Sequence, residues 1–368
     1  MKSAKKVLVL PCYYFFLLSL LTMPLMQSCS LFGAGRDDHG EFKSAITSSW
    51  EMKAPGGMVL IPGGAFMMGE VDEDIFGKAN PNRRVTVSSF FMDETEITNG
   101  IYSDFLNKVQ ERFDSLKDNL NTGGNSGTTI DDGQIIDPLE QRLTEEFIRD
   151  VLTPNMDVWR TDFINHMADI VLEGYFTSPG YANYPVVGVS WEAAKYFAAW
   201  RTKYLNENRE EKGLDKYPSF SLPSAAQWEY AARGGKELAK YPWGGPYIRD
   251  AEGKLRANFK TEDGNYSECG YTYTSPVTAF PPNDYGLYDM AGNVSEWTLD
   301  AYNPAAIALT WDSDPLYLDD EQPMKIIKGG SWKDISRFLQ TGAMDYEHKD
   351  TARAYIGFRC VIPYIGAQ

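Results

Sequence analysis

Thirty-two glycines and 20 prolines punctuate the 368 residues, and this punctuation restrains the fold more than any other feature. A chain broken so often builds many turns and a loop-heavy body, not a helical bundle. It still has the material for a core: 43% of residues are hydrophobic, 14% aromatic and only 23% charged. The length suits one large domain or two ordinary ones.

Between the breaks, short elements can be read. M58-V-L-I-P-G-G-A-F-M-M-G69 predicts a strand, a Pro-Gly-Gly turn and a second strand, and R84-V-T-V-S-S-F-F-M-D93 alternates as a further strand. A helix follows, capped by Thr98 or Asn99, with Ile101, Phe105 and Leu106 on one face. Residues 106–183 read as a mostly helical insertion. Its apolar positions fall at helical spacing: Val109, Phe113 and Leu116, then Leu139, Leu143, Phe147, Ile148, Val151 and Leu152, then Phe163, Met167, Ile170 and Val171. We expect these to form a satellite core with an exposed tip at 121–133 that meets a partner. Y184-P-V-V-G-V-S-W191 predicts a buried strand entering a helix capped by Ser190. L222-P-S-A-A-Q-W-E-Y-A-A-R-G-G235 predicts a second helix, capped by Ser224 and stopped at Gly234 or Gly235.

The amino terminus has the pattern of an export signal. Lys2, Lys5 and Lys6 precede an apolar run that ends at M26-Q-S-C29, as in a bacterial lipoprotein leader cut before Cys29. The uninterrupted apolar part falls short of the ~20 residues a spanning helix needs. Residues 1–28 are therefore read as leader, 29–55 as a polar tether and 56–362 as the body. Cutting before Cys29 removes three lysines and no acids, leaving 32 basic against 51 acidic residues. Such a body repels nucleic acid and anionic membranes, so the lipid on Cys29 is the expected membrane contact. Cys269 and Cys360 either pair or remain buried thiols, with thiols the expectation. Three scattered histidines (His39, His166, His348) argue against a His-rich metal site.

Taken in order, G63-G-A-F-M-M-G69, D93-E-T-E-I-T-N99, Y184-P-V-V-G-V-S-W191, the 222–235 word, Y241-P-W-G244, N283-D-Y-G-L-Y-D-M-A-G-N-V-S-E-W297, K328-G-G-S-W332 and G357-F-R359 resemble the formylglycine-generating enzyme, or sulfatase-modifying factor, family. The resemblance implies an α+β, C-type-lectin-like fold with little regular secondary structure. It also implies a copper site of two thiolates, the soft ligands Cu(I) selects, just after the Gly-Gly-Ser-Trp word. Those positions hold Asp334 and Leu339 here, so the expectation is a chain with no copper that is no enzyme, with Asp334 a loop residue. Two structural calcium sites are implied as well. One would use Asp289, Gly292, Val294 and Glu296; the other would use Asn258, Phe259 and Tyr271, with Cys269 where an Asp is expected.

Within that family, the leader, the insertion and the W159-R to P179-G-Y-A-N-Y approach resemble the gliding-motility lipoproteins of J and K type. This resemblance implies an outer-membrane lipoprotein of the type IX secretion and gliding machinery, on the periplasmic face. Its partners would be other subunits of that machinery, or further copies in an oligomer or ring. The competing readings are an oxidase or other enzyme with an atypical site, and a surface lipoprotein that binds a ligand.

Overall fold

The turn at Pro62-Gly63 hands the chain from one sheet to another. β1 (Met58–Ile61) pairs antiparallel with β4 (Phe90–Asp93), while β2 (Gly64–Met68) pairs with β3 (Arg83–Val87). Gly63 is required there, because a Cβ would lie 2.8 Å from the Ser89 nitrogen. In this computed structural model the described residues are 52–70, 81–123, 137–162, 174–261, 265 and 267–366. Cys29, the tether before residue 52, the 124–133 part of the tip loop and the helix expected through Phe163 and Met167 fall outside them.

The single strand expected over Arg84–Asp93 is two strands. Ser88 and Ser89 break it because their groups bond elsewhere: Ser88 N donates to Asp314 Oδ1 at 2.7 Å, and Ser89 Oγ accepts from Gly63 N at 2.7 Å. β4 also pairs with β9 (Val361–Pro363), completing a three-stranded sheet. A four-stranded sheet runs β7 (Asp345–His348), β6 (Met324–Lys328), β5 (Ser295–Ala301), β8 (Ile356–Gly357), with only β5–β8 parallel. The architecture is α+β with short elements, as expected.

α1 (Asn99–Gly123) starts where Thr98 Oγ1 accepts from Ile101 N at 3.3 Å. Then come α2 (Pro138–Gln141), α3 (Glu145–Phe147), a π-helical turn (Ile148–Leu152) and α4 (Val158–Thr161). The expected strand before Trp191 is buried but makes only one isolated bridge, Thr98 to Pro185. Proline has no N–H to extend a ladder. α5 (Trp191–Glu211) and α6 (Ala225–Arg233) are capped as the sequence implies. Ser190 accepts from Ala193 N, Ser224 and Gln227 form a capping box, and Gly234 is left-handed at φ 58°. α7 (Ala306–Leu309) is one short turn. Among the described residues, no helix is long and apolar enough to cross a membrane.

Among the described residues, the insertion does not make a satellite core. Leu143, Ile148 and Leu152 are buried in the same cluster as Tyr102 and Phe105 of α1, Trp191 and Phe197 of α5, and Phe358. Tyr102 Oη donates to Leu152 O at 2.8 Å, and Tyr196 Oη to Leu139 O at 2.9 Å. The apolar faces of α1 and α5 are closed by the 138–152 segment.

Candidate functional site

The 328–332 turn needs its glycines. Gly329 and Gly330 have φ of 95° and 64°, and a Cβ on Gly330 would meet the Phe338 carbonyl at 2.8 Å. Asp334 closes this turn: Ser331 N and Oγ donate to its Oδ2 at 3.0 and 2.6 Å, and Lys333 Nζ lies 3.4 Å from Oδ1. It is the hydrogen-bonded loop residue expected. Leu339 is fully buried with Tyr241, Ala257, Phe259 and Ala291. A cavity of about 10 Å³ remains beside Asp334, room for about one water.

Behind this turn lies a buried ionic layer. Glu296 is fully buried; Arg359 Nε and Nη2 donate to its two oxygens at 2.8 Å each, and Trp228 Nε1 adds a third bond at 2.8 Å. Arg359 also donates to the carbonyls of Asp93, Glu94 and Tyr288 at 3.1, 3.3 and 2.8 Å. Glu96, also fully buried, accepts from Asn293 Nδ2 at 2.7 Å and Val294 N at 3.2 Å. Asp289 sits at φ 55°, and its Oδ2 is buried with no hydrogen-bond partner. Burial pushes the Glu96 carboxyl well above the usual carboxylate range, and the charges of Asp289 and Glu296 push the same way against Arg359. Asp289 is raised by burial and then by Glu296, with Arg359 opposing.

Three carboxylates thus face one guanidinium. This arrangement fits a cation, and the orphaned Asp289 Oδ2 is the atom that shows it. Among the described residues, no three His, Cys, Asp or Glu side chains form a metal cage. A calcium ion held by the implied set of Asp289, Gly292, Val294 and Glu296 would therefore rely on two main-chain carbonyls, with Glu296 shared with Arg359. Sequence reasoning missed Glu96 and Arg359. The signal was an arginine inside the apolar word I356-G-F-R-C-V-I362, which a buried site tolerates only with a carboxylate.

The second calcium set adjoins the first: Asn293 N donates to Asn258 O at 2.8 Å. Its centre is a thiol. Cys269 Sγ lies 3.1 Å from Asn258 Oδ1 and 3.4 Å from Tyr271 O, and burial pushes it up. Phe259 packs into the Leu339 cluster. Cys269 and Cys360 are both free thiols. A cleft of about 340 Å³ between α1 and α5, lined by Ile97, Phe105, Phe197, Trp200 and Tyr204, carried no sequence signal.

Residues 44–364 match the sulfatase-modifying factor enzyme 1-like domain. The chain is 30% identical over 327 residues to the formylglycine-generating enzyme of Thermomonospora curvata, covering 83% of this chain and 92% of that one. It is 29% identical over 317 residues to the inactive C-alpha-formylglycine-generating enzyme 2 of Bos taurus, covering 82% and 87%. The solved structure of PvdO from Pseudomonas aeruginosa shares the fold at a TM-score of 0.54 and 22% identity, covering 83% of this chain and 94% of that one. The expectation that the chain is no enzyme is corrected by these relatives. Named formylglycine-generating enzymes match as well as the inactive protein does, so the relatives do not set this chain apart from the enzymes. The chain belongs to the sulfatase-modifying factor enzyme 1-like domain family.

Proposed function

We propose that this protein is an outer-membrane lipoprotein, anchored through Cys29 at the periplasmic face, that works as a component of the type IX secretion and gliding machinery. One observation carries the reading. The two positions expected to hold copper thiolates serve the fold instead, Asp334 as a turn cap and Leu339 as core, while the body around them is intact. A scaffold that keeps its shape without that pair suits a subunit that holds neighbours in place. The leader ending at Cys29 and the acidic balance support a lipid-held protein whose partners are proteins and not nucleic acid.

A structural calcium ion at Asp289, Gly292, Val294 and Glu296 forms part of the same proposal. It would neutralise the excess of carboxylates over guanidinium and fix the 289–296 turn against Arg359. The 258–271 set is weaker, because a thiol there is a poor calcium ligand.

Growth with an alkyne-bearing fatty acid tests the anchor. Label should appear on the mature wild-type chain and be absent from Cys29→Ser. In crosslinked outer membranes, secretion subunits should co-purify with the wild type. Label retained in the variant, or crosslinks only to glycan-handling proteins, would refute the reading.

A further inference from the structure

The connection from β5 to β6 carries the most exposed large apolar side chain among the described residues. Trp311 is 87% exposed, flanked by Leu309 at 58% and Leu318 at 63%. An indole left in water this completely gives up burial that the fold could have used. The loop is nevertheless held on both sides of it. Thr86 N donates to Asp312 O and Asp314 N to Thr86 O, each at 2.7 Å. Ser88 N and Oγ donate to the two Asp314 oxygens at 2.7 Å each. Arg83 Nη2 donates to Thr310 Oγ1 at 2.8 Å. Asp314 adopts φ 44°, a conformation costly for a residue with a side chain. These bonds hold the backbone on both sides of Trp311, which lowers the entropy cost of engaging a partner.

The surroundings select the partner's chemistry. Residues 302–323 include Asp312, Asp314, Asp319, Asp320 and Glu321 and no lysine or arginine. Arg83 Nη1, 3.7 Å from Asp312 Oδ1, offsets one of these charges, and the remaining acids repel an anionic membrane. A second copy is disfavoured too, because the whole chain carries a formal charge of −16. Beneath the loop a cleft of about 240 Å³, lined by Tyr302, Pro304, Thr310, Leu316 and Tyr346, has room for one apolar side chain in return. We infer that this loop is a docking surface for a protein whose apolar pocket is ringed by lysine or arginine, and that Trp311 is the residue that enters it. The surface does not depend on which machinery the chain serves.

The test uses the full-length protein in the cells that make it. A benzophenone amino acid replaces Leu309 or Leu318, with Tyr247, exposed at 76% on another segment, as control. Positions 309 and 318 should each crosslink to one protein, and position 247 should not. The crosslinked peptide should contain apolar residues beside lysine or arginine. With that protein purified, Trp311→Ala should weaken binding about thirtyfold, the loss of a central aromatic anchor. Asp312→Asn should weaken it less and flatten its salt dependence. Circular-dichroism melting of both variants should match wild type, since neither side chain is buried. The inference is overturned if products at 309 and 318 do not exceed the control. It is also overturned if the product is a second copy or lipid, or if Trp311→Ala binds as tightly as wild type. Any of these leaves the lipid-labelling and secretion tests standing.

Discussion

Arg359→Met removes the cation that opposes Glu96, Asp289 and Glu296 in the buried carboxylate layer. The guanidinium is fully buried and makes two bonds to Glu296 and three to main-chain carbonyls. Methionine keeps much of the volume, so the loss is chiefly electrostatic. Breaking one partner of a buried pair costs about 3–5 kcal/mol, because the other charge is left uncompensated. Here three carboxylates are left, so the upper end applies. The sign with pH follows from the raised carboxyls of Glu96 and Asp289. A raised carboxylate contributes stability in full below its unfolded value of ~4, and loses it as pH climbs through the folded value. Without Arg359 the rise is unopposed, so the deficit relative to wild type should be largest near pH ~7.5 and shrink towards pH ~5. Urea unfolding followed by circular dichroism, run on both proteins at both pH values, measures it. A difference under about 1 kcal/mol at the higher pH, or a deficit that grows on acidification, would refute the reasoning.

Leu152→Ala should destabilise the whole body by about 2–5 kcal/mol, as for a leucine in the main core; loss confined to the insertion, read by hydrogen exchange, would restore the satellite core. Asp334→Ala should cost about 1 kcal/mol in the same unfolding experiment, the usual worth of a lost side-chain cap, and should leave secretion unchanged. Chelation should lower the melting temperature of protein purified with calcium, since an ion at a hundredfold excess over its dissociation constant adds about 2.7 kcal/mol. Asp289→Asn should lose that response, and a melting curve indifferent to chelator would show that no ion is held.

Local chemistry was legible in the sequence. Ser224 and a glycine at 234 or 235 announce the start and stop of a helix, and the structure caps it at Ser224 and stops it at Gly234. Asp334 was readable as a turn residue for the same reason, since its main partner, Ser331, is three positions away. What was missed depends on partners remote in sequence. The break between β3 and β4 requires Asp314, 226 residues beyond Ser88. The burial of Leu152 requires Tyr102, 50 residues earlier, and the role of Glu96 requires Asn293, 197 residues later. Periodicity finds an apolar face but not what covers it. That is how the insertion came to be expected as a separate core.

The central claim is that this chain is a lipid-held part of the type IX machinery. Its most direct test is the amount of type IX cargo released by a strain lacking the gene, with wild type or Cys29→Ser restored. The account predicts a loss of cargo release in the deletion, recovery with wild type, and no recovery with Cys29→Ser, which should leave the outer-membrane fraction. Normal cargo release in the deletion strain, or full recovery with a Cys29→Ser protein still in the outer membrane, would contradict it.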